Sequence, residues 1–589
     1  MKRGLVTSCL LYGVLSVVFC APLFSRPEGL GIYDWDQQLF YYGGVLKSVV
    51  EYGQLPFWNP WYCGGNVLWQ NPQVALLSPV YPLSAIMSLS LAMKVNIVLH
   101  YWVGFIGMHL LLTRAIGLSF PPIVLYLASM VTLAGAPAQH LAVGHGWILP
   151  AFYLPLQLFF FLRAVNSGAV RHVLLAGAAL ALMVYNGGLH IVPMSVGAIG
   201  MFAVVTATMR RQWRPVILAV VLCVAGLSYA APKLLPVTMF VTSERFLDTR
   251  TGEGPDRRPD RMSIEMLVRT YVDPHQNRGT RFELQRHGWH EYGNYIGGLA
   301  GLLLVASVVW ILAYKRAREG WFGVSLGITS MALLALSAGE FNSLAPASLL
   351  NHLPFFSSFR VPSRYTVAFV LFAAVTIGWA VRALAAETAL VGRWRGLVAI
   401  LCVLASVDLV VRNRTQLEGI FSRPPLDSTF RLLQGATALV IDGVSRPTGS
   451  NSPMLRALMS DRAFYNCYES LQLRHTSDPD NPLLVTDGKS KLFGTTFSPN
   501  RIEFAVVGGS EPSRVLLNQN YATGWRSTLG PVTLDPQFGK PAVTLGSRQA
   551  GKFAFVFVPP GLAVGTALLA LALVGSALAW KHTLPDNPF

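Results

Sequence analysis

Residues 4–38 read GLVTSCLLYGVLSVVFCAPLFSRPEGLGIYDWDQQ, and their reading decides the fold. An apolar run to Phe24 is followed closely by Asp34-Trp35-Asp36. That acidic pair opens a polar, aromatic-rich stretch from Tyr33 to Gln73. Carboxylates beside hydrocarbon are costly unless they serve something. The pair is either two solvated loop aspartates or part of a site at a membrane surface.

Composition weighs on that choice. The chain has 589 residues, 52% hydrophobic and only 13% charged. Soluble domains carry about 25% charged residues, so this is the composition of a polytopic membrane protein. The net charge is +17. Much of it sits in short clusters beside apolar runs, where basic residues set orientation. There is no Walker-type phosphate loop, no paired CxxC or HExxH zinc spacing and no basic–aromatic stretch of the kind that binds nucleic acid.

Apolar runs lie at 4–24, 95–113, 120–138, 147–163, 172–188, 190–208, 214–231, 294–314, 320–338, 364–383, 395–411 and 562–580. Each approaches the roughly 20 residues needed to cross a bilayer. The first reads as an uncleaved helix, because bulky Phe19 stands where a signal-peptide cleavage site wants a small residue. With a cytoplasmic N-terminus, the clusters at Arg114, Arg163/Arg171, Arg210/Arg211/Arg214, Lys315/Arg316/Arg318, Arg382/Arg393/Arg395 and Lys581 all fall inside. The expectation is about twelve helices. It requires that the apolar run Val74–Met93, which holds Pro79 and Pro82, is a juxtamembrane or re-entrant segment and not a crossing.

The outer face then receives loops 25–94, 232–293 and 339–363, and a soluble segment. Three regions are expected: a transmembrane domain over 1–411, a β-rich extracytoplasmic domain over 412–560, and a last helix with a cytoplasmic tail over 561–589. Alternation in Arg501-Ile502-Glu503-Phe504-Ala505-Val506 and the run Lys552–Val558 read as strands. Cys9, Cys20, Cys223 and Cys402 fall in apolar runs and read as packing. Cys63 and Cys467 fall in polar segments, and a disulfide between them is open. Asp34, Asp36, His140, His145, Glu244, Arg245, His290, Glu291, Arg360 and Arg364 gather near outer helix ends. Chemistry there must use a donor available outside the cell, where nucleotide sugars and ATP are scarce.

Several motifs are familiar together. Asp34-Trp35-Asp36-Gln37-Gln38 is followed by Gly53-Gln54-Leu55-Pro56-Phe57-Trp58-Asn59-Pro60, Cys63-Gly64-Gly65 and Asn71-Pro72-Gln73. Later come Glu291-Tyr292-Gly293-Asn294-Tyr295-Ile296-Gly297, Phe359-Arg360-Val361-Pro362-Ser363-Arg364 and Tyr521-Ala522-Thr523-Gly524-Trp525. This resembles the YfhO family of bacterial membrane proteins, nearly end to end. The chain departs from it at Cys63-Gly64-Gly65, where Phe-Gly-Gly is common, and at Asn186-Gly187-Gly188-Leu189-His190, where Gly-His-Pro-Gln is common. The resemblance implies a GT-C type glycosyltransferase in the bacterial inner membrane. Such an enzyme takes a sugar from a polyprenyl-phosphate carrier and passes it to an envelope polymer or lipid acceptor at the outer face. It uses an acidic residue of the first outer loop.

On this reading Asp36 is the expected base, and Asp34 orients it or holds a cation. A positioned carboxylate taking the acceptor's proton is worth roughly 10²–10⁴-fold. Arg360, Arg364 and Arg245 are candidates for the carrier phosphate, since guanidinium binds phosphate oxygens bidentately. Their alternative is snorkelling to headgroups, or for Arg245 an ion pair with Glu244. Trp58, Asn59, Asn71, Gln73, His140, His145, Glu291 and Tyr295 are candidates for substrate contact. Trp58, Trp61 and Trp69 equally fit an interfacial aromatic belt. No metal site is expected, because His140 and His145 have no third ligand nearby in sequence. A divalent cation stays open. Competing functions are a transporter or flippase for lipid-linked sugars, and a non-catalytic envelope scaffold.

Overall fold

A computed structural model describes residues 2–188, 190–243, 261–283, 285, 287–313, 320–352, 361–387, 390–426, 440–442, 453–464, 483–486 and 490–581. Among the described residues, eight helices are long and apolar enough to cross a membrane: Gly4–Phe24, Leu89–Ile116, Pro121–Val143, Gly146–Ser167, Ile191–Arg210, Pro362–Ala385, Trp394–Leu417 and Leu562–Trp580. Arg214–Tyr229 and Ala231–Val241 make a further span bent by 87°. The shorter apolar helices Val170–Tyr185, Gly298–Ala313 and Trp321–Ser337 take up the remaining apolar runs. The protein is thus a multi-pass helical membrane protein.

The helices start and stop where backbone chemistry dictates. Pro121 opens Pro121–Thr132, at a position whose N–H has no helical partner. The bend at Tyr229–Ala231 coincides with Pro232 in the first turn of the second half. Val74–Met93 does not cross. It forms one helical turn, Val80–Leu83, and Ser88 then caps the long helix from Leu89 through its hydroxyl. The lipid-facing character of the outermost helices is clear in Leu562–Trp580, where only 6% of the apolar window is covered by protein.

The extramembrane part is β-rich. A small antiparallel pair, β1 (Trp58–Asn59) and β2 (Asn66–Val67), lies in the first long loop. In the later segment β3 (Val440–Asp442) and β4 (Arg462–Phe464) pair in parallel. Then follow β5 (Leu483–Thr486), β6 (Lys491–Ser498), β7 (Arg501–Val507), β8 (Ser513–Leu517), β9 (Trp525–Ser527), β10 (Thr533–Leu534), β11 (Pro541–Leu545) and β12 (Ala550–Phe557). They form two antiparallel sheets, ordered β10-β11-β8-β5 and β6-β7-β12-β9. Ile502 and Phe504 of β7 face inward opposite Phe555 and Phe553 of β12, as their alternation requires.

The first loop is bolted to these sheets. Trp58 donates from its backbone N to Asn500 Oδ1 at 3.0 Å and from its indole to Gln519 Oε1 at 2.9 Å. Its ring packs against Trp525 and Phe557. Asn520 donates to the carbonyls of Cys63 and Gly65. Lys47, buried, bridges Glu51 at 2.5 Å and Asp461 at 2.6 Å. Cys63 is disulfide-bonded, while Cys467 lies outside the described residues. Cys9, Cys20, Cys223 and Cys402 are free thiols.

Candidate active site

Asp34 and Asp36 part company in space. The helix Trp35–Leu46 starts immediately after Asp34, and every residue in it is buried. Trp35 anchors the start, its indole donating to Leu141 O at 2.7 Å and its ring packing on Phe421. Asp36 therefore turns inward. Its two carboxylate oxygens accept the backbone N–H groups of Met454 and Leu455, at 3.0 and 3.1 Å. These open the helix Pro453–Met459. Burial raises the Asp36 carboxyl to about 6, against the downward pull of those two N–H groups and of Arg423. Asp36 is an internal tie between the first loop and the later segment, with no open face for a substrate.

Asp34 stays outside the helix, with its side chain 44% exposed. Its N–H donates to Val143 O, so it lies on the turn Leu141–Gly146. Gly144 permits that approach: at φ +89° it has no Cβ, and one would collide with the backbone of Asp34 and Trp35. Asp34, Gln37, Gln38, Gln73, Gly144, His145, Trp147 and His190 line a polar pocket of about 180 Å³. Gly187, at φ +77°, lets the Gln73 carbonyl pack where a side chain would sit.

Behind the pocket runs a chain of charged and polar groups. Asp34 Oδ2 lies 3.5 Å from His145 Nε2. His145 Nδ1 lies 2.9 Å from His140 Nδ1. Glu291 completes the group, and its ligand atom and those of both histidines lie within 4.8 Å of one another. Arg364 closes on Glu291 bidentately, Nε to Oε2 at 2.8 Å and Nη2 to Oε1 at 2.5 Å. The pair is 14% and 4% exposed. Burial pushes the Glu291 carboxyl up, but the charge and hydrogen bonds of Arg364, together with His140 and His145, hold the group well below the usual carboxylate range. The guanidinium also lies 4.6 Å from the centre of the Trp147 ring. His290, its pKa lowered by burial, stands beside His145 with ring centres 5.8 Å apart.

Of the sequence candidates, Asp34, Gln73 and His145 reach the pocket, and His140, Glu291 and Arg364 form the layer behind. Others go elsewhere. Trp58 and Asn59 are buried in the joint between loop and sheets, where Trp58 supplies apolar area and Asn59 Oδ1 accepts the backbone N–H of Trp61. Asn71 turns back on its own loop, accepting from Gln73 N. The Tyr295 hydroxyl donates to Asp408 at 2.6 Å and lies outside the pocket lining. Arg360, Arg245 and Glu244 lie outside the described residues. Trp147 was not singled out from the sequence, and His190 appeared there only as the last residue of the stretch Asn186-Gly187-Gly188-Leu189-His190. His190 follows Gly187-Gly188 at the end of an apolar run, a position where a polar side chain invites notice.

A second cavity, apolar and about 920 Å³, takes part of its wall from the same loop segment: Gln73 lines the polar pocket, and Leu76 and Leu77 line the cavity. Its walls include Trp69, Leu76, Ala178, Leu182, Leu573 and Trp580. They come from the first loop, the helix Val170–Tyr185 and the last span.

No family model matches the chain, and no curated protein is similar to it in sequence. Among solved structures, the mycobacterial arabinofuranosyltransferase AftD is 13% identical over 70% of this chain and 26% of its own, with a TM-score of 0.42. The arabinosyltransferase EmbB from Mycobacterium smegmatis is 14% identical over 92% of this chain and 61% of its own, with a TM-score of 0.27. The chain therefore spans about a quarter of the length of AftD. The resemblance to the YfhO family stands on its motifs alone.

Proposed function

We propose that the protein is a GT-C type membrane glycosyltransferase. It moves a sugar from a polyprenyl-phosphate-linked donor to an envelope polymer or lipid acceptor, at the outer face of the bacterial cytoplasmic membrane. The observation that carries this reading is the pairing of two cavities. A polar pocket of about 180 Å³ holds a half-exposed carboxylate, and an apolar cavity of about 920 Å³ is lined by Leu76 and Leu77 of the same loop segment that gives Gln73 to the pocket. A lipid-linked sugar has the same two halves.

Asp34 replaces Asp36 as the base, because Asp36 has both oxygens committed and no exposure. The Asp34 carboxylate takes the proton of the acceptor hydroxyl. The acceptor oxygen attacks the anomeric carbon, the bond from that carbon to the phosphate oxygen breaks, and the electron pair leaves with the lipid phosphate. Gln37, Gln38, His145 and His190 supply hydrogen-bonding groups around the sugar and phosphate. Arg364 acts at one remove: two of its N–H groups are spent on Glu291, so it orients the wall more than it clamps the phosphate.

The test is transfer by the purified full-length protein in detergent, from a labelled polyprenyl-phosphate sugar to an envelope extract. Transfer that disappears in a folded Asp34→Asn variant supports the reading. Movement of the lipid across liposomes without transfer would point to a flippase, and neither activity to a scaffold.

A further inference from the structure

We infer that His140, His145 and Glu291 form a binding site for one divalent transition-metal ion, zinc by the chemistry of the donors. The two histidines, five positions apart in sequence, lacked a third ligand there. Folding brings Glu291 to them on a separate short helix, Trp289–Tyr292. Two imidazoles and one carboxylate are the donor set of an open catalytic zinc site, which keeps its remaining position for water or substrate.

The geometry supports convergence on one point. The Nδ1 atoms of His140 and His145 face each other at 2.9 Å. One proton between them would make a hydrogen bond, and with both lone pairs bare they would aim at one ion. Zinc holds nitrogen and oxygen at about 2.0–2.2 Å, so tetrahedral ligand atoms lie roughly 3.3–3.5 Å apart. The three donor atoms, all within 4.8 Å of one another, reach that spacing by side-chain adjustment.

The surroundings are those of a metal site's outer layer. A ligating histidine commonly turns its other ring nitrogen to a carboxylate, and His145 Nε2 faces Asp34 Oδ2 at 3.5 Å. Ligating carboxylates are themselves hydrogen-bonded, and Arg364 does this for Glu291. Each Glu291 oxygen accepts one hydrogen bond from Arg364 and keeps a second lone pair for an ion. Because Arg364 is neutralised by Glu291, the pocket needs another cation to meet an anionic phosphate. A bound ion would supply that charge. This consequence rests on the proposed function, whereas the binding itself does not.

The experiment uses the full-length protein in detergent, stripped with chelator and dialysed against one equivalent of Zn²⁺. Bound zinc is read by elemental mass spectrometry and by thermal shift, with no sugar donor present. We expect one zinc per chain. The affinity should fall at least about 100-fold in His145→Ala and in His140→Ala, beyond the 10–100-fold typical of losing an outer-layer partner. His190→Ala, which removes a pocket residue outside the trio, should keep its zinc. Absence of stoichiometric zinc in the wild type, or zinc retained in both His145→Ala and His140→Ala, overturns the site. If both variants fail to fold, Co²⁺ in the wild type decides. An intense tetrahedral absorption supports the site, and a spectrum like that of the free aqueous ion overturns it. Failure of the transfer assay would leave these readings intact, so the two ideas fail separately.

Discussion

Asp36 accepts the backbone N–H of Met454 across 418 positions of sequence, at 3.0 Å. With Leu455 as its second donor, this carboxylate fixes the start of the helix Pro453–Met459 against the first loop. Asp36→Ala leaves two buried donors unsatisfied, a cost of about 1–3 kcal/mol for each such group. The expected outcome is a lower melting temperature and faster proteolysis after residue 412. A folded, protease-resistant Asp36→Ala protein with lost transfer would instead return Asp36 to the chemistry.

The same carboxyl makes stability depend on pH. Its folded value, about 6, is above the ordinary carboxyl value of 3.8, so the folded state binds the proton more tightly. The stabilisation is complete below about pH 4 and is lost as pH rises through about 6. Lowering the pH from 7 to 5 should therefore stabilise the wild type relative to Asp36→Asn, which has no titrating group there. Parallel melting curves of the two proteins across that range would contradict the assignment.

Asp34→Asn keeps size and removes the basic lone pair. The side chain is 44% exposed and caps no N–H of the helix that follows it, so folding should be unchanged. Transfer should fall by at least about 10²-fold if Asp34 is the base. Turnover within a few-fold of wild type would remove it from that role.

Glu291 and Arg364 are buried together, and each is costly without the other. Arg364→Ala should lower stability by about 3–5 kcal/mol, since it strands a buried carboxylate. Arg364→Ala combined with Glu291→Gln should recover part of that loss. Arg364→Lys should mostly lower the melting temperature, because a point charge replaces a planar fork. A rise in donor KM with unchanged melting temperature would identify direct phosphate contact instead.

Much of this organisation was legible, and the limits have a physical pattern. The apolar runs are local properties of the chain, so all correspond to apolar helices, including 214–231, whose bend follows Pro232. The strand alternation at 501–506 is local too. What could not be read was pairing at long range. Nothing near Asp36 announces Met454, and nothing near His140 announces Glu291. Trp58 resembled a sugar platform because an exposed tryptophan and a buried one are identical in sequence, and only its partners Trp525 and Phe557 decide. The polar pocket was half visible: Asp34, Gln37, Gln38 and Gln73 belonged to motifs and His145 to a histidine pair, whereas Trp147 opened an apolar run.

The apolar cavity gives the last prediction. Ala178 stands on its wall, on the helix Val170–Tyr185, and Leu573 of the last span lines the same cavity. Ala178→Phe adds bulk into open space, so the fold should tolerate it better than overpacking of a filled core, which costs about 1–3 kcal/mol. If the cavity takes the donor's hydrocarbon chain, the variant should raise KM for a long-chain polyprenyl-phosphate sugar on the order of tenfold, about 1.4 kcal/mol of lost binding. A donor with a chain too short to reach Ala178 should be used as well as by wild type. The comparison of the two donors isolates the chain from the sugar chemistry, because the pocket around Asp34 is untouched. Equal KM values for both donors in Ala178→Phe, with normal melting behaviour, would mean that the hydrocarbon chain lies elsewhere.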